Sequence, residues 1–162
     1  EVPLTILQDP RVTASRADLQ TQYDFLISSR DKMNAINKTI LEIRKVNTQL
    51  TDLKTKVKDD NLKAEIDSFA IRAGDIEKAL YQTKNRSEQD PLNYPIRLNN
   101  KYGHLLALAT IGFNRPTASM VEVEKELRTL IDAELTRWEN TKKALNNLNA
   151  KIRNAEVPFV TW

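Results

Sequence analysis

Residues 16–58 read RADLQTQYDFLISSRDKMNAINKTILEIRKVNTQLTDLKTKVK, and this stretch decides the fold. Its apolar residues fall at Leu19, Tyr23 and Leu26, then at Met33, Ile36, Ile40, Ile43, Val46, Leu50, Leu53 and Val57. The intervals are threes and fours, which line side chains along one face of a helix. A charge breaks the stripe at one place, Arg30, and neither Gly nor Pro interrupts the stretch. Ser15 with Asp18 three residues on gives a capping-box start. The pattern predicts one helix over 16–58, about 60 Å long at 1.5 Å per residue. A rod of that length is not stable alone in water, so partner helices must cover its apolar seam.

Moving outward, Leu62, Ile66, Phe69, Ala73, Ile76 and Leu80 repeat the same spacing, with Asp59 or Asp60 placed to cap it. They predict a second helix over 60–83, antiparallel to the first because the link is short. Residues 84–95 are polar with two prolines and read as a loop. Pro95 suits the first turn of a third helix over 95–112, carrying Ile96, Tyr102, Leu105, Leu106, Leu108 and Ile111. That helix ends at Gly112 as a left-handed cap, with Phe113 folding back. Thr117 or Ser119 caps a fourth helix over 118–154, striped by Met120, Val123, Leu127, Leu130, Trp138, Thr141, Leu145, Leu148 and Ile152. The expected architecture is an all-α, antiparallel up-down bundle of four helices crossing at about +20°. Residues 13–162 form the bundle domain. Residues 1–12 form an extended tail, read as the end of a preceding β module. The β-prone tails Val2-Pro3-Leu4-Thr5-Ile6-Leu7 and Val157-Pro158-Phe159-Val160-Thr161-Trp162 should meet at one pole, pairing with each other or covering the bundle end.

Composition excludes several classes. The 162 residues contain no Cys, one His, three Gly and six Pro, with 25 Lys and Arg against 22 Asp and Glu. This is one domain, able to fold without disulfide or metal. No apolar run approaches the roughly 18 residues of a spanning helix. The first stretch holds nine basic and five acidic residues, but the signs interleave, so no concentrated basic face exists for nucleic acid. Glu122, Glu124 and Glu126 open the fourth helix, and Lys142, Lys143, Lys151 and Arg153 close it, as the helix dipole favours. Zero cysteines fits an extracytoplasmic setting.

Chemistry-bearing constellations are missing. A di-iron bundle needs two Glu-x-x-His helices, and zinc sites need repeated His or Cys ligands; one histidine, His104, supplies neither. His104 lies among Leu105, Leu106 and Leu108 and reads as a packed side chain. Carboxylate pairs such as Glu122/Glu126 and Asp132/Glu134 sit where solvation and the dipole account for them. Glu134 and Arg30 both fall on stripes, and either pair across the first and fourth helices or reach water at the bundle edge. The triplets Asn37-Lys38-Thr39 and Asn85-Arg86-Ser87 read as chance. No catalytic, cofactor-binding or metal residue is assigned, and no cofactor is expected.

The most unusual stretch is Asp90-Pro91-Leu92-Asn93-Tyr94-Pro95-Ile96-Arg97-Leu98-Asn99-Asn100-Lys101. Two prolines stiffen it and Asn93 suits an Asx turn. Arg97, Asn99 and Asn100 bring more polar groups than a short core helix needs, and Asp90 is placed to pair with Arg97. The candidate structural or interaction motif is therefore Asp90, Pro91, Asn93, Tyr94, Pro95, Arg97, Asn99, Asn100 and Lys101. This stretch resembles the C-terminal helical region of large bacterial secreted proteins built on a sortilin-like β-propeller, commonly labelled BNR-repeat glycosyl hydrolases. Asp9-Pro10-Arg11, Gln22, Phe25, Arg30, the run from Arg44 to Leu50 and Pro116-Thr117 extend the resemblance. The propeller's Asp-box pattern, Ser-x-Asp-x-Gly-x-x-Trp, has no counterpart here, so no sugar-cleaving residue carries over. Glu1 in place of an initiator Met reads as a chain cut from something longer.

What the resemblance implies is a non-catalytic, extracytoplasmic accessory domain. Its partners would be other modules of the same polypeptide, the propeller and a β module, or a protein or glycan. The alternatives are a free-standing helical adaptor with an exposed apolar groove and, behind it, a hydrolase using His104 beside Arg97 and Asn100.

Overall fold

The computed structural model describes residues 2–155, 160 and 162. Its helices are α1 (Arg16–Lys54), α2 (Asp60–Leu80), α3 (Leu98–Ala109) and α4 (Ala118–Asn154), with one 3-10 turn at Asp90–Leu92. Among the described residues there is no strand. The caps follow the sequence. Ser15 Oγ accepts from the Asp18 amide while the Asp18 carboxylate accepts from the Ser15 amide, both at 3.1 Å. Asp59 caps α2 through the Asn61 amide at 2.8 Å, and Thr117 caps α4 through the Met120 amide at 3.2 Å.

Four boundaries differ from those predicted, one of them the end of α3, at Ala109 rather than 112. The first helix stops at Lys54 rather than 58. Lys56 and Val57 donate back to the Leu53 carbonyl at 2.9 and 3.2 Å, closing the last turn. Val57 is nevertheless buried, which is why the apolar spacing runs past the helix end. α2 stops at Leu80 rather than 83 because Tyr81 is extended (φ −133°, ψ 144°). α3 begins at Leu98 rather than 95. The buried Gln82 amide donates to the Pro95 carbonyl at 2.7 Å, and Arg97 is extended, so 95–97 lead into the helix.

The all-helical bundle takes a different course at one joint. Arg44 pairs with Glu77 and Lys54 with Asp67, so α2 runs antiparallel to the second half of α1. Gln22 bonds the α3 end at Ala109 and Gly112, while Gly103 approaches Met33, so α3 runs antiparallel to the first half. Residues 81–97 therefore do not reverse the chain. α2 and α3 follow one another along α1 as two pieces of a single rod. The reason lies in length: 21 residues of α2 cannot cover the seam of a 39-residue α1, and α3 covers the remainder. α4 then runs parallel to α1, marked by Ser28–Arg128 (3.0 Å), Lys32–Asp132 (2.5 Å) and Glu42–Trp138 (2.9 Å).

Two consequences correct the expectation for the tails. The N-terminal segment leaves at the α1 start, next to the 110–117 turn, where Arg115 reaches Asp18 at 3.7 Å. Residue 160 lies at the other half of the bundle, against Asn149. Among the described residues, Val160 and Trp162 do not meet the N-terminal segment; they contact Asn149 and Lys45 instead. Val2, Leu4, Ile6 and Leu7 stand 83–93% exposed, whereas Val160 is 2% exposed and part of the core. Val157, Pro158, Phe159 and Thr161 lie outside the described residues.

The core is the meeting of three seams, with Ile36, Ile43, Phe69, Ile76, Trp138 and Leu145 almost wholly buried. In α4 the seam passes through Ile131 (0% exposed), not Leu130 (55%). In early α1 it passes through Gln22 and Ser29, leaving Tyr23 exposed and Arg30 outward on Asp31 at 2.7 Å. A straight helix drifts against a 3.5-residue repeat, so a long stripe written in threes and fours slides off the buried face.

Candidate functional site

The turn between α3 and α4 shapes a surface in which apolar side chains gather. Gly112 sits at φ 76°, the left-handed conformation a glycine takes without strain, and this part of the expected cap is found. Phe113 does not fold back; it is 63% exposed, with Ile111 at 70%. The buried Gln22 amide donates to the Ala109 and Gly112 carbonyls at 2.9 and 3.1 Å, satisfying carbonyls at the open end of α3 and fixing the turn to α1.

Deeper in, a polar cluster sets α3 against α4. The hydroxyl of the fully buried Tyr102 donates to Glu124 at 2.6 Å. Arg128 Nε donates to the same carboxylate at 2.6 Å, and its Nη2 reaches Ser28 at 3.0 Å and the Tyr102 hydroxyl at 3.2 Å. Burial, helped by the hydrogen bond to Glu124, pushes the Tyr102 phenol up to about 12. Arg128 would be lowered by its own burial, but its bond to Glu124 leaves it raised.

On the outer side of this cluster α3 and α4 line a groove of about 400 Å³. Leu105 and Leu108 of α3 face Met120, Val123 and Leu127 of α4, with Ile96 at one end and Ser119 on the rim. Lys101 and His104 are the ionisable residues of its wall; no carboxylate lines it. Leu108, Ile96 and Val123 remain 39–43% exposed, so the groove is open to a partner rather than sealed. The geometry suits apolar contact and provides no acid–base pair.

The residues singled out from sequence are not brought together as one surface. Asp90 organises the loop: its carboxylate accepts from the Arg86 amide and from the Ser87 amide and hydroxyl, at 2.9 and 2.8 Å for Ser87. Those bonds hold it below the usual carboxylate range. It is therefore engaged within the loop and not with Arg97, which is exposed and lacks a side-chain cap bond. The Asp90 carbonyl accepts from the Asn93 and Tyr94 amides at 2.9 and 2.8 Å, closing the 3-10 turn around Pro91. Tyr94 is half-buried with Lys84 over its ring at 5.5 Å. Asn99 keeps an enclosed Oδ1 without a partner, Asn100 is exposed, and Lys101 alone of the set reaches the groove. Pro95 serves through its carbonyl.

Two other expectations are corrected. His104 is exposed on the groove wall rather than packed in the core. Glu134 bonds Arg137 at 2.8 Å, three residues on in its own helix, and not Arg30; with α1 and α4 parallel, residue 30 lies level with the Arg128–Asp132 turn instead. Gln22, Tyr102, Glu124 and Arg128 carry the site's geometry. From sequence, Gln22 enters only through the resemblance, Tyr102 only as an apolar stripe residue and Glu124 only through the helix dipole, and Arg128 does not enter. The available signal was a glutamine three residues from Leu19 and four from Leu26, on the same side as an apolar stripe.

Among the described residues no group of three or more His, Asp or Glu side chains is placed to hold a metal ion, and no helix is long and apolar enough to cross a membrane. Compared with protein-family models, curated proteins and solved structures, the chain matches none of them.

Proposed function

We propose that this chain is a non-catalytic accessory domain of a larger secreted, sortilin-like propeller protein of bacterial type, and that it docks on neighbouring modules of the same polypeptide. The observation that carries the proposal is the gathering of exposed apolar surface at one pole. The α3/α4 groove, Ile111, Phe113 and the root of the segment bearing Val2, Leu4, Ile6 and Leu7 all lie at the end where α1 begins. Exposed apolar surface of this extent, rimmed by polar residues, marks an interaction site. The resemblance of residues 90–101 names the kind of partner: an upstream β module whose last strand leads through residues 2–9 into α1. A glycan would need a row of polar groups along the groove, and the wall offers only Lys101, His104 and Ser119 among apolar side chains.

The same groove serves the second reading, a free-standing adaptor that takes a partner helix. A hydrolase using His104 is less well supported, since no carboxylate stands in the groove to orient it. The test has two parts. The encoding reading frame is expected to contain propeller repeats upstream of Glu1. The separately produced upstream module is expected to bind the wild-type chain, and a Leu108→Lys/Val123→Lys chain at least about tenfold more weakly. A frame with no upstream module refutes the accessory-domain proposal. Equal binding of both chains refutes the groove as its surface.

A further inference from the structure

The α3/α4 groove carries a charge pattern that its apolar lining does not call for. On the α3 side, Lys101 and His104 stand on the wall, and residues 97–117 contain no Asp or Glu. On the α4 side, Glu122 and Glu126 are exposed and lie one and two turns beyond Ser119, the residue that forms that rim. Lys125 stands about 100° round the helix from Glu126 and is turned out of this rim. One rim is thus cationic and the other anionic. Among the described residues, neither is spent on ion pairs within the chain. The apolar floor also runs past the groove, since Leu130 is exposed two turns beyond Val123 on the same face of α4. The rims are in register as well. α3 and α4 run antiparallel and Tyr102 bonds Glu124, so Lys101 stands near the level of Glu126 and His104 near that of Glu122.

A surface with unlike rims closes favourably on itself under one kind of two-fold. An axis lying along the groove sets Lys101 of one copy against Glu126 of the other, and His104 against Glu122, with the two α4 helices parallel. An axis across the groove sets like charges face to face and is disfavoured. We propose that this face is a homodimer interface of the first kind, in which a second copy of the chain covers the groove, Leu108, Val123 and Leu130. An ordinary stable interface takes about 800 Å² from each protomer, whereas apolar patches on monomers reach about 300–600 Å². The charged rims supply the rest, which is why their signs decide the arrangement. The dimer concerns the chain by itself and does not rest on an upstream module. Such a module, where present, competes with the second copy for the groove.

Sedimentation equilibrium of the full chain from about 1 to about 200 μM tests the dimer. The weight-average mass is expected to rise from the 18.6 kDa of one chain toward twice that value. Lys101→Glu and Glu126→Lys, both at exposed positions, are each expected to weaken association at least about tenfold while helical circular dichroism is unchanged. Lys101→Glu/Glu126→Lys restores opposite charges across the two-fold and is expected to associate within about threefold of wild type. An equimolar mixture of the two single variants pairs each Glu with a Lys, and is expected to associate at least about tenfold more tightly than either variant alone. A chain that stays at 18.6 kDa throughout overturns the proposal, and if the upstream module then binds it, the groove belongs to that module. A mass that climbs past twice the chain also overturns it, because an open-ended contact is not a two-fold. So does a single variant that associates as tightly as wild type, or a double variant as weak as the singles.

Discussion

Tyr102→Phe removes one oxygen from the cluster that sets α3 against α4, and its consequences can be worked out in sign and size. The hydroxyl donates to Glu124 at 2.6 Å and accepts from Arg128 at 3.2 Å inside a fully buried site. After the change Glu124 and Arg128 still hold each other at 2.6 Å, and Arg128 still reaches Ser28 at 3.0 Å, so no charge is stranded. The loss at pH 7 is therefore that of one hydrogen bond to a charged group, about 1.5 kcal/mol. That lowers Tm by about 3–6 °C in a domain of this size. The phenol is raised from 10.0 to about 12 on folding, so the folded state holds its proton where the unfolded state has lost it. Its contribution is intact below pH 10 and falls as pH rises from 10 to 12, by about 1.4 kcal/mol at pH 11. Urea unfolding of wild type and variant, followed by circular dichroism at pH 7, 9, 10 and 11, reads the difference directly. The wild-type advantage should hold to pH 9 and nearly vanish at pH 11. A gap that stays constant, or widens, refutes the burial and bonding assigned to Tyr102.

Further predictions concern packing, backbone and surface. Ile131→Ala should destabilise by about 2–5 kcal/mol, and Leu130→Ala by less than about 0.5, in the same urea titration; the reverse order would place the α4 seam through Leu130. Gly112→Ala should cost about 1–2 kcal/mol, because φ is 76° there and a methyl group would stand 3.2 Å from Asn114 Nδ2. Leu108→Lys/Val123→Lys should lower the fluorescence of a bound hydrophobic dye such as ANS by half or more. Because both positions are partly exposed, Tm should move by no more than about 2–4 °C.

Much of this architecture can be read in the sequence. The long apolar spacings fixed all four helices, and Ser15, Asp59 and Thr117 marked three starts through side-chain chemistry that acts within one turn. What escaped reading is non-local. Nothing in the composition of residues 81–97 says whether that link reverses the chain. The answer depends on the uncovered seam of early α1 and on Gln82 reaching the Pro95 carbonyl across 13 residues. Leu130 and Ile131 are adjacent and equally apolar, so choosing between them requires knowing how far the helix has rotated against its neighbours after several turns. The motif at 90–101 drew attention by its prolines and amides, and those proved to close a loop. The groove is made instead by ordinary aliphatic residues that become a site because α3 and α4 bring them side by side. Gln22 and Asn149 look like chance polar substitutions until the carbonyls and amide they serve are in place.

The docking account requires the N-terminal segment and the α3/α4 groove to share a pole, which holds only if α1 and α4 run parallel. The chain has no native cysteine, so spin labels can be placed at will. The pairs Asp24→Cys/Lys125→Cys and Asp24→Cys/Asn146→Cys, all on exposed positions, give the decisive distances by double electron–electron resonance. Positions 125 and 146 are separated by about 30 Å along α4. The 24–125 pair is predicted to be the shorter by roughly 20 Å. A shorter 24–146 distance would mean that α4 runs back against α1, and would separate the groove from the segment it is proposed to work with.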